Sequence, residues 1–168
     1  NFANYLFEPR SGRLVLLDFG ATRRFEPGFV ANFARISRAV VDGERAAVAR
    51  EAVQIGYAAA GDPPAQIDAV VDMCLLVCEP LRQPGPYDFG RSDLPSRVRD
   101  LGFELALRQR LLRPPPPDTL FLHRKLVGSF LLLARLGAQV DAQALILPFL
   151  PKARGRSASA SVPASARR

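Results

Sequence analysis

The sequence lacks the residues that build most metal and redox centres. Its 168 residues include no tryptophan, one methionine, one histidine and two cysteines. Cys74 and Cys78 lie one helical turn apart in an apolar stretch, and with His123 as the only histidine the chain lacks ligands for a zinc site. We interpret the cysteines as buried thiols of a protein kept in a reducing compartment.

Long apolar runs are also missing. None reaches the roughly 18 consecutive residues that a membrane-spanning helix needs. The most apolar stretch, 120–136, is interrupted by Arg124, Lys125 and Arg135. We therefore expect no transmembrane segment among these residues.

Positive charge is in excess, but it is unevenly distributed. The net charge is +7, and the segment 152–168 carries five basic residues and no acidic one, which leaves 1–151 nearly balanced at +2. Because the segment 152–168 is also rich in serine and alanine, we predict a disordered, solubilising tail. This distribution argues against a nucleic-acid-binding domain.

The apolar pattern predicts a mainly α domain that opens with one β-hairpin. Two short apolar runs, 4–7 and 14–17, flank a turn-forming segment at 8–12. Four consecutive apolar residues at 14–17 are typical of a strand buried on both faces. Helical spacing then dominates, so we expect one short hairpin packed on five or six helices. The predicted helices lie at 27–41, 44–59, 65–79, 94–112, 118–136 and from 141 to 148 or 151. We expect Pro80 to end the third helix and Asp141 to cap the sixth.

One segment, 4–23, carries residue types suited to chemistry. Asp18 follows the second apolar run directly and precedes Phe19 and Gly20. The strand fixes the carboxylate, the phenylalanine anchors the turn, and the glycine allows backbone conformations closed to other residues. Asn4 would lie on the partner strand, at the same open end of the hairpin. An amide oxygen and a carboxylate that converge there make a hard-oxygen site for Mg²⁺, as in the protein-kinase template.

Other interpretations of these and similar residues stay open. Asp18 is also suited to a turn, and Asn4 to capping a hairpin. Asp88, which also precedes Phe and Gly, lies in a loop with no buried strand before it, so we expect a structural turn or a docking loop and not a second metal site. His123 has no nucleophile next to it, and we expect a hydrogen-bonded structural histidine. The arginines at 97–113 alternate with acids, which favours a solvated face over an anionic-membrane contact.

A resemblance to a known family favours the metal site. The stretch 1–25, NFANYLFEPRSGRLVLLDFGATRRF, resembles the AarF/UbiB family of atypical kinases, in which Ala-Thr-Arg characteristically follows Asp-Phe-Gly. The segments 86–90 (PYDFG) and 122–136 (LHRKLVGSFLLLARL) resemble C-terminal helices of the same family. The similarity covers about residues 1–150 and is strongest to the subgroup tied to ubiquinone synthesis.

The resemblance implies an incomplete site. It makes 1–151 the C-terminal lobe of a kinase-like domain, with Asn4 and Asp18 as ligands of the Mg²⁺ that accompanies ATP. The kinase template places its catalytic Asp about five positions before the Asn, which falls upstream of Asn1, so we expect no catalytic residue in this chain. The apolar, aromatic start of the chain also indicates a cut, because natural N-termini are usually polar.

Two hypotheses of function follow. In the first, the chain is the C-terminal fragment of an atypical kinase-like ATPase that supports ubiquinone biosynthesis, and it is inactive alone. Its implied partners are ATP, the missing N-terminal lobe, proteins of quinone biosynthesis and an anionic membrane surface. Its implied location is the cytoplasmic or mitochondrial-matrix side of a membrane, to which it binds peripherally. In the second, the chain is a non-catalytic helical interaction module from a truncated or pseudokinase-like gene product.

Overall fold

The computed structural model describes residues 2–18, 22–108 and 114–152, and for Phe2 and Arg108 it describes the backbone alone. The predicted turn residues Phe19 and Gly20 lie outside the described residues, as does the predicted tail from 153 onward.

The first element is the expected β-hairpin. After a single 3-10 turn at Phe2–Asn4, strand β1 (Tyr5–Glu8) pairs antiparallel with strand β2 (Arg13–Leu16). The turn closes through Gly12, whose positive φ of 68° suits glycine and whose N–H donates to the Glu8 carbonyl. The hairpin prediction is therefore confirmed.

The expected burial of the second strand is wrong in this structure. All four residues of β2 are exposed, with Leu14 68% exposed, and Phe7 on β1 is 62% exposed. The strands pair mainly with each other, and no helix of the described part covers either face of β2. A run of apolar residues thus predicted the strand correctly and its burial incorrectly.

The core is formed by three helices, α1 (Pro27–Val41), α2 (Arg45–Ile55) and α3 (Pro64–Val77). Proline stands at the first turn of α1 and α3, where its missing N–H costs no helical hydrogen bond. Helix α2 ends earlier than expected, because Gly56 adopts a left-handed conformation at φ 91° and caps it. The buried core side chains are Ile36, Ala39, Val40, Val48, Ala52, Ile55, Ala58, Val70, Val71 and Leu75.

Two shorter helices follow. Proline was expected to end α3 at position 80, but α3 ends at Val77 and Pro80 lies in the first turn of a new short helix, α4 (Glu79–Arg82). Helix α5 (Leu94–Phe103) continues into a π-helical turn, Glu104–Arg108. The predicted continuation to 112 lies outside the described residues from 109 onward.

The last elements pack around a small strand pair. Helix α6 (Pro117–Arg135) leads to strand β4 (Gln139–Val140), which pairs antiparallel with β3 (Tyr87–Asp88), and then to α7 (Ala142–Ile146) and a 3-10 turn. The expected cap of α7 is confirmed, because Asp141 Oδ1 accepts a hydrogen bond from the Ala144 N–H at 2.8 Å. The two-residue strands were not predicted.

The described residues thus form seven α-helices and two small antiparallel sheets. This confirms the predicted fold class, a mainly α fragment like the C-terminal lobe of a kinase. None of the helices in the described ranges has the length and apolarity needed to cross a membrane.

Candidate metal site at the open end of the hairpin

The hairpin brings Asn4 and Asp18 side by side. Asn4 directly precedes β1, and Asp18 stands two residues beyond β2. The Leu17 N–H donates to the Asn4 carbonyl at 2.9 Å, which extends the strand pairing by one step past the regular ladder. The Asn4 Nδ2 amide then donates to Asp18 Oδ2 at 3.3 Å. The predicted proximity is confirmed, and the role of the two residues as metal ligands stays a prediction.

The chemistry of the two side chains suits a hard divalent ion. Asp18 is exposed and Asn4 is half-buried, so the carboxylate faces solvent at the edge of the fold. A half-turn of the Asn4 amide exchanges its nitrogen for its oxygen, which gives two oxygen donors at one place. Mg²⁺ takes one or two protein carboxylates and completes its shell with water and phosphate oxygens. The donor set therefore fits Mg²⁺ with a nucleotide.

Other metal sites find no support in the described ranges. No group of three or more His, Cys, Asp or Glu side chains there could hold a metal ion. Cys74 and Cys78 are both free and partly buried, and desolvation raises the pKa of Cys74 to about 12 and that of Cys78 to about 11. The thiols are therefore protonated at neutral pH, which agrees with the prediction of structural cysteines.

The segment after the site is held by Arg23. Residues 22–26 have no regular secondary structure and lead into α1. Arg23 Nη2 donates to Asp118 Oδ1, in the first turn of α6, at 2.5 Å. The guanidinium carbon also lies 4.6 Å from the centre of the Phe121 ring and 5.6 Å from that of Phe25. Sequence reasoning found Arg23 only as part of a family signature, because its charged partner lies 95 positions away.

His123 has the structural environment that was expected. Its Nε2 lies 2.7 Å from the Tyr57 hydroxyl, and the two rings are 5.6 Å apart. Burial lowers the pKa of His123 and raises that of Tyr57, because both charged forms lose solvation. The prediction of a hydrogen-bonded histidine is confirmed.

The second Asp-Phe-Gly sequence forms a structural turn. Phe89 is buried and makes edge-to-face contacts with Tyr87 and Phe130, at 5.0 and 5.2 Å between ring centres. Asp88 Oδ1 accepts a hydrogen bond from the Arg91 N–H at 3.1 Å. Asp88 therefore stabilises its own turn, as one of the two sequence interpretations expected.

The arginines of α5 are paired with acids. Arg97 makes two hydrogen bonds to Glu79, at 2.7 and 2.8 Å, and a third to Asp93 at 2.7 Å. Arg99 pairs with Asp100. The Arg97–Glu79 contact joins α5 to α4, so Arg97 also connects two helices, which a solvated face alone does not include. An anionic-membrane contact stays a prediction.

A mainly α fold that opens with a hairpin ending at an Asp of an Asp-Phe-Gly sequence defines a C-terminal lobe of the kinase-like class.

No family model matches the chain. It is 38% identical over 140 residues to the atypical kinase COQ8B, mitochondrial, of Rattus norvegicus, across 83% of this chain and 26% of that protein. It is 37% identical over 142 residues to the atypical kinase COQ8, mitochondrial, of Saccharomyces cerevisiae, across 83% of this chain and 28% of that protein.

A third curated relative shows a similar level of identity. The chain is 34% identical over 148 residues to the atypical kinase COQ8, mitochondrial, of Schizosaccharomyces pombe, across 86% of this chain and 24% of that protein. These matches show that the chain is a UbiB-type homologue of the COQ8 atypical kinases. It spans about a quarter of the length of these curated relatives.

Proposed function

We propose that this chain supplies the metal-holding end of an atypical kinase-like ATPase that supports ubiquinone biosynthesis. The observation that carries the proposal is the convergence of Asn4 and Asp18 across the hairpin, 3.3 Å apart. Two further facts support it: the named relatives are atypical kinases, and their names place them in mitochondria.

The chemistry of such a site consists of positioning and charge. When bound with ATP, the Mg²⁺ ion would supply positive charge next to the phosphates. Asp18 would provide the carboxylate and Asn4 the amide oxygen that hold the ion. The backbone hydrogen bond from Leu17 to Asn4 keeps the two ligands in register before any ion arrives.

The proposal includes an incomplete active site. We propose that 1–151 is one lobe and that the catalytic Asp and the nucleotide-covering lobe belong to a longer protein. The chain alone would then neither bind Mg-ATP tightly nor hydrolyse it. ATP, the other lobe, proteins of quinone biosynthesis and an anionic membrane surface would be partners of the longer protein, on the cytoplasmic or matrix side of the membrane.

The direct test uses the longer protein and measures Mg²⁺-dependent ATP hydrolysis. Asp18→Asn should abolish hydrolysis, because the amide removes the negative charge that binds the ion. Asp88→Asn is the matched control, since Asp88 also precedes Phe-Gly but lies in a structural turn. Equal hydrolysis by wild type and Asp18→Asn would exclude Asp18 as a ligand.

A second candidate function is a non-catalytic interaction module. The observation that favours it is the exposed apolar face of α6, which includes Phe121, Val127 and Leu131, each more than half exposed. The two candidates differ in one measurable property, because a module without metal chemistry would be indifferent to Asp18→Asn. Wild-type partner binding together with an absence of any Mg²⁺ effect would favour the module.

A further inference from the structure

Arg23 follows the candidate ligand Asp18 by five positions, in a segment without regular secondary structure. We infer that Arg23 is a positioning residue for the metal site, because it fastens this segment to the first turn of α6. The inference rests on the proposed function of Asp18 as a metal ligand.

The anchor at the far end of this contact is firmly held. Thr119, next to Asp118 in the first turn of α6, is fully buried, and its hydroxyl donates to the Pro116 carbonyl at 2.7 Å. The hydrogen bond between Tyr57 and His123 joins the same helix to the end of α2 one turn further on. Asp118 is therefore a fixed point relative to the three-helix core.

The contact uses features that only arginine has. Asp118 and Phe121 are three positions apart on α6, so the carboxylate and the ring lie on the same side of the helix. The planar guanidinium of Arg23 pairs with the Asp118 carboxylate at 2.5 Å, and its carbon lies 4.6 Å from the centre of the Phe121 ring. Lysine at position 23 would keep the charge and lose the planar contact.

The solvent exposure of the Arg23–Asp118 ion pair favours a positioning role over a role in global stability. The Arg23 side chain is 39% exposed and that of Asp118 is 64% exposed. An ion pair so open to water adds little to global stability. Its removal should therefore leave the thermal midpoint unchanged while freeing residues 22–26 from α6. The chain then loses a contact with α6 that lies five positions after Asp18.

Charge alone predicts the opposite effect on metal binding. Removing a positive side chain near a cation site lowers electrostatic repulsion, so Coulomb's law predicts unchanged or tighter binding. A positioning role predicts weaker binding. Arg24 gives the matched control, because it is an exposed arginine one position along the same segment. Arg23→Ala and Arg24→Ala remove the same charge, and only the first removes the contact with α6.

The experiment titrates the ¹⁵N-labelled 168-residue chain with Mn²⁺ and follows paramagnetic broadening of the Leu17 and Asp18 amide signals. The Mn²⁺ concentration for half-maximal broadening should rise about tenfold in Arg23→Ala, the lower end of what loss of an outer-shell partner costs a metal site. Asp118→Ala should give the same rise, and the double variant should add nothing further. Arg23→Lys should give a smaller rise, and Arg24→Ala none.

The outcomes distinguish this inference from the proposed function. Arg23→Ala with the same Mn²⁺ midpoint as Arg24→Ala overturns the positioning role, provided that Asp18→Asn abolishes the broadening. Asp18→Asn with a wild-type midpoint overturns the metal site itself, and the inference with it. A fall in thermal midpoint that accompanies the loss of Mn²⁺ binding in both Arg23→Ala and Arg23→Lys also overturns it, because the contact would then be stabilising the fold.

Discussion

The Tyr57 hydroxyl lies 2.7 Å from Nε2 of His123, and this hydrogen bond joins the end of α2 to α6. It connects two parts of the chain that are 66 positions apart. The His123 imidazole is partly buried, and burial lowers its pKa because it favours the neutral form. The pair therefore links the packing of α6 to the protonation of a single side chain.

Acid should weaken the fold through His123. Its folded-state pKa is lowered from the ordinary value of 6.5, so the unfolded chain binds more protons as the pH falls through that value. The contribution of His123 to the free energy of unfolding is fully present above about pH 6.5, and it is lost as the pH falls through the lowered pKa. Urea unfolding at pH 7.5 and 5.5 should show a larger loss for wild type than for His123→Gln, which can still bond to Tyr57. Equal losses in the two proteins would contradict this role.

The turn at Gly90 should not tolerate a side chain. A Cβ placed there would lie 2.8 Å from the Gly137 Cα, and backbone on that side cannot move without disturbing the end of α6. We expect Gly90→Ala to lower the free energy of unfolding by about 1–3 kcal/mol, the range for overpacking.

Gly128 is the matched control for Gly90. It lies within α6, and a Cβ there would meet no neighbouring atom of the described structure. Gly128→Ala should raise stability by roughly 0.5–1 kcal/mol, because alanine loses less backbone entropy in a helix. Chemical denaturation measures the free energy of unfolding of both variants. A lower value for Gly128→Ala than for wild type would contradict the space found around Gly128.

The two cysteines should be unreactive in the folded protein. Thiolate is the reactive form, and the raised pKa values of Cys74 and Cys78 leave little of it at pH 8. A thiol reagent should label neither residue within minutes in native buffer and both after addition of urea. Fast native labelling of either cysteine would contradict the protonated, desolvated environment. The ratio of labelling rates in native buffer and in urea gives the measurement.

Local patterns in the sequence predicted the elements that local physics determines. The hairpin followed from two apolar runs around a turn segment, and the proximity of Asn4 to Asp18 followed from antiparallel pairing. Helix starts at Pro27 and the cap at Asp141 were predicted for the same reason, because each depends on a few neighbouring residues.

Contacts between distant residues could not be predicted from these patterns. The residues around Arg23 do not indicate that it pairs with Asp118. Those around Tyr57 do not indicate a hydrogen bond to His123. The pairing of β3 with β4 involves strands of two residues, which leave no alternation to detect. The prediction that β2 is buried was wrong for a related reason. An apolar strand indicates that its side chains favour burial, but it does not indicate which residues would cover them.

The most direct test of the account asks whether the end of the hairpin binds a divalent ion. In a Mn²⁺ titration of the ¹⁵N-labelled chain, the amide signals of Leu17 and Asp18 should broaden before those of Asp88. The selective broadening should disappear in Asp18→Asn and persist in Asp88→Asn. Broadening that begins at Asp88, or that survives unchanged in Asp18→Asn, would contradict a metal site formed by Asn4 and Asp18.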